Sequence, residues 1–214
     1  MTRFVVISGC SGGGKSTVLA ELARRGYAVV EEPGRCIIRE EEQTGGTALP
    51  WVDLTAFARR AVAMALEDRA VAASSHADAW VFFDRGLIDA AAALAQATGD
   101  DTLLADLSRR HRYHRYVFLT PPWPEIYTTD PDRRHDLSAA MAEYDRLLSL
   151  YPALGYEVVL LPKVSVADRT AFILSTLAAT DGPGDTAAVR SAEPGPLPKT
   201  GDTHPCSPNS GSRR

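Results

Sequence analysis

A three-layer α/β/α fold, with a five-stranded parallel sheet between two sets of helices, is predicted by three observations. Short apolar runs recur at 3–8, 27–31, 79–83, 115–119 and 156–161, each short enough to be a buried strand. Segments with helical spacing fill every interval between them, so the strands alternate with helices along the chain. The first strand runs directly into a glycine-rich turn and then a helix-forming segment.

The elements follow in order. The RFVVIS strand ends at the glycine-rich turn, and residues 16–25 form a helix that Gly26 stops. The second strand, 27–31, closes at Glu32-Pro33-Gly34, and 35–43 are helical. Gly45 and Gly46 punctuate a loop that runs to Pro50. Asp53 is placed to cap a long helix over 53–73, in which Leu54, Phe57, Ala58, Ala61 and Ala65 fall on one face. The third strand ends at Asp84, two helices at 87–98 and 101–110 divide near Gly99, and the fourth strand covers 115–119. Helices at 137–151 and 166–179 flank the last strand. From about Asp181 to Arg214, Pro, Gly, Ser and Thr replace large apolar residues. Such a segment buries too little surface to offset its ordering entropy, so the reading is one folded domain over 1–180 and a disordered tail over 181–214.

Composition narrows the function classes. The formal net charge of −4 argues against a general nucleic-acid footprint. The three cysteines, Cys10, Cys36 and Cys206, are far apart and odd in number, which argues against a disulfide framework and fits a reducing compartment. No run approaches the roughly 18–20 apolar residues that span a bilayer. The expectation is a soluble, cytoplasmic protein that engages no membrane; its oligomeric state is not legible.

The chemistry is concentrated at Gly9-Cys10-Ser11-Gly12-Gly13-Gly14-Lys15-Ser16, which satisfies G-x-x-x-x-G-K-[ST], with Thr17 following. Glycines let successive backbone N–H groups turn inward around an anion. The helix that starts near Lys15 adds the positive end of its dipole. Lys15 is placed to reach β- and γ-phosphates, and the Ser16 hydroxyl to ligate Mg²⁺. This is a P-loop, and ATP with Mg²⁺ is the expected cofactor pair.

Carboxyl ends of parallel strands face the ligand in such folds. Asp84 ends the third strand and is the second candidate metal ligand, against the bland alternative of a helix cap. Glu32 closes the second strand, where it can hold or deprotonate an acceptor hydroxyl, with Glu31 its rival if the register shifts by one. Arg85 suits bidentate phosphate binding, against a surface ion pair. Arg35 and Arg39, four apart, share a helix face and suit an acidic substrate or plain solvent. Arg133 and Arg134 lie in a polar stretch after the fourth strand, the place for a lid that closes over phosphates. The basic run Arg109 to Arg115 reads as a solvated loop, and Trp51 as either a pocket wall or core.

Together these pieces resemble the NadR-like P-loop ATPases and kinases, a family labelled as predicted AAA-type ATPases. The matching stretches are GCSGGGKST (9–17), EEPGRCIIRE (31–40), ALPW (48–51), VFFDRGLID (81–89), PPWPEIYTTDPDRRHDL (121–137) and GYEVVLLPKVSV (155–166). The resemblance implies a nucleoside-kinase-like P-loop fold with a small lid. In the related deoxynucleoside kinases a Glu-Pro pair handles the acceptor hydroxyl, as Glu32-Pro33 would here. Asp84-Arg85 resembles their acid-arginine pair, and Arg133 and Arg134 would be the lid arginines. The expected activity is transfer of the γ-phosphate of ATP to a small-molecule acceptor, with Lys15, Glu32, Asp84, Arg85, Arg133 and Arg134 catalytic.

Two other classes compete. A regulatory ATPase or switch acting on a protein partner would hydrolyse slowly without an acceptor. A modifier of nucleic-acid ends would use the basic run. A GTPase is weakened because the only Asn is Asn209 in the tail, which leaves no Asn-Lys-x-Asp guanine reader.

Overall fold

The computed structural model describes residues 3–126 and 137–180. The expected lid arginines, Arg133 and Arg134, and the tail at 181–214 lie outside the described residues.

Five parallel strands form one sheet: β1 (Phe4–Gly9), β2 (Ala28–Val30), β3 (Val81–Asp84), β4 (Tyr116–Thr120) and β5 (Glu157–Leu160). Their order is β2-β3-β1-β4-β5. Among the described residues seven α-helices connect and follow them: α1 (Lys15–Arg24), α2 (Pro33–Thr44), α3 (Leu54–Ser75), α4 (Leu87–Thr98), α5 (Thr102–Arg110), α6 (Leu137–Ala153) and α7 (Val166–Ala178). The element order and type match the expectation from sequence, with bounds moved by a residue or two.

Period-two alternation divides the core between the two faces of the sheet. Phe4, Val6, Val81, Phe83, Val117 and Leu119 join one apolar cluster, shared with α3, α4, α5 and α6. Val5, Ile7, Phe82 and Phe118 join the other, against Val18, Leu19 and Leu22 of α1 and Ile173 and Leu177 of α7. Both sheet faces are therefore covered, as continuous apolar strands require.

Local chemistry sets the helix ends. The Asp53 carboxylate accepts the Ala56 N–H at 2.9 Å and caps α3 as expected. Pro33 opens α2, where a missing N–H costs nothing. Asp84 does not cap α4; Gly86 occupies that position, and Asp89 accepts the Gly86 N–H at 2.9 Å. This frees Asp84 for the site.

The run from Arg109 to Arg115 departs from the solvated loop expected. Arg109 and Arg110 do face solvent beside Asp106, but Tyr113 and His114 are buried. Aromatic rings give the cations apolar platforms: Arg112 lies 3.9 Å over the Tyr156 ring and Arg69 4.5 Å over Tyr113. Arg112 also donates to the Leu154 carbonyl at 2.8 Å, so these residues lock the turn before β5 to the chain before β4.

Candidate active site

β1 pairs with β3 on one side and β4 on the other, so the chain reverses direction of winding at the carboxyl end of β1. A crevice opens at such a switch point. The P-loop fills it. The Cys10 N–H donates to the Thr120 carbonyl at 2.9 Å, tying the loop to the end of β4. Gly9, Gly12 and Gly14 have φ of 106°, 80° and 81°, a region closed to most side chains. A Cβ on Gly9 would also sit 2.5 Å from the Thr120 carbonyl oxygen. Gly9→Ala is expected to cost more than about 2 kcal/mol, combining backbone strain with overpacking. A urea titration checks it; a midpoint equal to that of the parent chain would refute this account of the turn.

Lys15 is buried, and its Nζ donates to the Cys10 carbonyl at 3.0 Å. The sheet then delivers three charged side chains to the same edge. Asp84 is 7% exposed, and its Oδ1 is buried without a hydrogen-bond partner. Its pKa rises from 3.8 to about 6, first through burial and then through the charge of Glu32. Glu32 is pushed the other way. Burial would raise it, but Arg85, Lys15 and Arg35 outweigh that and hold the carboxyl below its usual range. Two carboxyls with opposed shifts, one poised near neutrality and one firmly ionised, mark a site with divided roles.

Arg85 is the hub. It has φ of 57°, strained for a residue with a side chain, at the turn from β3 to α4. Its Nε lies 3.2 Å from Glu32 Oε1, its Nη2 donates to the Gly9 carbonyl at 3.2 Å, and its Nη1 lies 3.5 Å from Glu143 Oε1. Burial would lower its pKa, but Glu32, Asp89, Glu143 and Asp84 together raise it, so the guanidinium stays charged. Behind it, Asp89 accepts hydrogen bonds from the Ser8 hydroxyl and from Tyr151 Oη, so the support is itself fixed.

A cavity of about 400 Å³ opens beside Glu32 and Arg85. Ser11, Gly12, Gly14, Lys15, Ser16 and Thr17 form its floor, Glu32, Arg35 and Arg85 one end, and Trp123, Ile126, Val164, Val166 and Arg169 much of the other. Ser16 and Asp84 also line a second groove together with Glu31, Arg35 and Arg39. Arg35 pairs with Glu32 at 3.2 Å and is half-buried in the site, whereas Arg39 pairs with Glu31 at 2.8 Å with both side chains exposed, the solvated helix face considered from sequence.

The sequence-predicted residues from Gly9 to Thr17, Glu32, Asp84 and Arg85 thus come together at one strand edge. Glu143 and Arg169 were not expected. Arg169 carries a sequence signal, a cation in the first turn of α7, where the helix dipole favours acids. Glu143 carries none, because only folding brings α6 to Arg85.

The solved structures to which this chain is similar share the fold. Deoxyadenosine kinase from M. mycoides with bound dATP matches with a TM-score of 0.55 at 15% identity, covering 82% of this chain and 98% of that one. Shikimate kinase from Acinetobacter baumannii in complex with shikimate matches at 0.53 and 16%, covering 85% and 96%. Thymidylate kinase from Ehrlichia chaffeensis matches at 0.53 and 17%, covering 82% and 97%. No curated protein matches the sequence. The model of the AAA domain family matches residues 4–169, from the first strand through the start of the last helix. The chain therefore belongs to the AAA domain family, in the sheet order and helical layering of the P-loop kinases.

Proposed function

We propose that this protein binds ATP with Mg²⁺ and transfers the γ-phosphate to a hydroxyl of a small molecule, nucleoside-like or other. The observation that carries the reading is Glu32: an ionised carboxylate at the carboxyl end of β2, held by Arg85 and Arg35 beside the P-loop. A carboxylate in this place serves an acceptor hydroxyl or an attacking water, so turnover with and without acceptors, rather than Glu32 alone, separates a kinase from a switch. The kinase form of the fold supports the same reading, and so does the small-molecule chemistry named for the neighbours, deoxyadenosine and shikimate among them.

Lys15 and the P-loop amides hold the phosphates in line with the acceptor. Mg²⁺ fits the residues present, because the buried, unpartnered Asp84 Oδ1 and the Ser16 hydroxyl share one groove. The ion, when bound, supplies charge neutralisation on the phosphate oxygens. Glu32 orients the acceptor hydroxyl and accepts its proton. Arg85 balances charge as the phosphoryl group moves. Arg133 and Arg134 are proposed to add to this from the lid.

ATP turnover with Mg²⁺, alone and with pooled metabolites, tests the reading. One pool is expected to accelerate ADP release, and Glu32→Gln to lower that accelerated rate ~10²–10⁴-fold while ATP still binds. Tight ATP binding with a slow basal rate that no pool changes would instead favour a nucleotide-dependent switch acting on a protein partner.

A further inference from the structure

We propose that Arg169 holds the α-phosphate of the bound nucleotide, at the opposite end of the P-loop from Lys15. The inference rests on the nucleotide-binding reading and assigns a residue that the motif does not contain.

Arg169 is the fourth residue of α7, the helix that packs against α1, and it lines the cavity. Only 3% of it is exposed. Its Nη1 donates to the carbonyls of Gly13 at 3.2 Å and Gly14 at 3.4 Å, and its guanidinium lies 5.2 Å over the Trp123 ring. Its Nε is buried without a hydrogen-bond partner. No carboxylate among the described residues compensates the charge, and burial pulls its pKa down. The adjacent acid, Asp168, is turned away and accepts the Ser165 hydroxyl at 2.6 Å. The α7 dipole opposes a cation in this turn as well.

A buried cation with neutral partners only is costly, and an anion in contact with it removes the cost. The anion that the same cavity is built for is a phosphate. Which phosphate follows from position. Lys15 Nζ points back to Cys10, at the Asp84 and Arg85 end. Arg169 covers Gly13 and Gly14 and shares the far end with Trp123, Ile126, Val164 and Val166. That apolar end suits a base, and the phosphate next to the base is the α-phosphate. Arginine's fork fits one phosphate with two parallel N–H donors.

The test measures binding of AMP, ADP and ATP to the full chain by calorimetry, with AMP read by displacement of ADP. Arg169→Met is expected to weaken all three by a similar factor of ~10–100, the range of a lost charge-assisted contact. Lys15→Ala is expected to weaken ADP and ATP far more than AMP. The ligand-free melting temperature of Arg169→Met should not fall below that of the parent chain, since the substitution removes an uncompensated buried charge. Arg169→Lys, which keeps the charge and loses the fork, should lie between the two and serves if the methionine variant does not fold. Parent-like AMP affinity in these variants, or a loss confined to ATP, overturns the assignment and leaves nucleotide binding standing. A parent chain that binds none of the three nucleotides overturns both.

Discussion

Lys15→Ala is expected to remove ATP turnover, by ~10³-fold or more in kcat/KM, while leaving the fold intact. The ammonium is buried, its Nζ rests on the Cys10 carbonyl, and it lies at the end of the cavity shared with Arg85 and Glu32. Preorganised cations aimed at a transferring phosphoryl group are worth ~10²–10⁵ in rate, because they act where water is excluded and need no reorganisation. Removing a buried amine relieves desolvation as well as deleting contacts, so the melting temperature of the ligand-free protein should move little. ADP release and a thermal melt on the same preparation check both halves. A variant with the parent rate would show that the phosphates do not sit where the P-loop places them.

Asp84→Asn is expected to give the second largest effect, with opposite signs for stability and activity. In the folded chain the pKa of this carboxyl is about 6, raised from 3.8 by burial first and by Glu32 second. Between those values the folded state binds a proton that the unfolded state has lost. Stability therefore falls as pH rises through this window, and the charged Asp84 is a net cost above it. The neutral amide removes that cost, so ligand-free Asp84→Asn should melt higher than the parent at pH 8, by about 2–4 °C for each kcal/mol recovered. At pH 5 the parent carboxyl is protonated and the gain should shrink toward zero. Turnover with Mg²⁺ should drop ~10²–10³-fold, since the amide cannot supply an anionic oxygen to a hard cation. A gain in melting temperature that does not depend on pH would refute the electrostatic account.

The sheet and the phosphate loop were legible because both are local signals. A strand, a glycine-rich turn and a helix follow one another without interruption from Phe4 to Arg24. Asp84 and Glu32 were legible too, since each ends a strand and strand ends share an edge. The partners of these acids were not. Arg85 meets Glu143 across 58 residues, and Arg169 meets Gly13 across 156. No periodicity reports on contacts of that separation. Charge at the surface misled in a similar way: the run from Arg109 to Arg115 looks solvated until Tyr156 and Tyr113 are seen to carry Arg112 and Arg69 on their faces.

The packing of α7 against α1 has a consequence for how the chain is made. β1 precedes β3 and β4 in the chain and yet lies between them in the sheet, so it must wait for both before its backbone is paired on either side. The wall that Arg169 gives the P-loop arrives later still, with α7. Contacts of such long range close late and slowly. ATP, by mass action, stabilises only a chain that can hold it. A nascent protein of this kind thus gains the full stabilisation that nucleotide can give only once α7 has packed beside the P-loop.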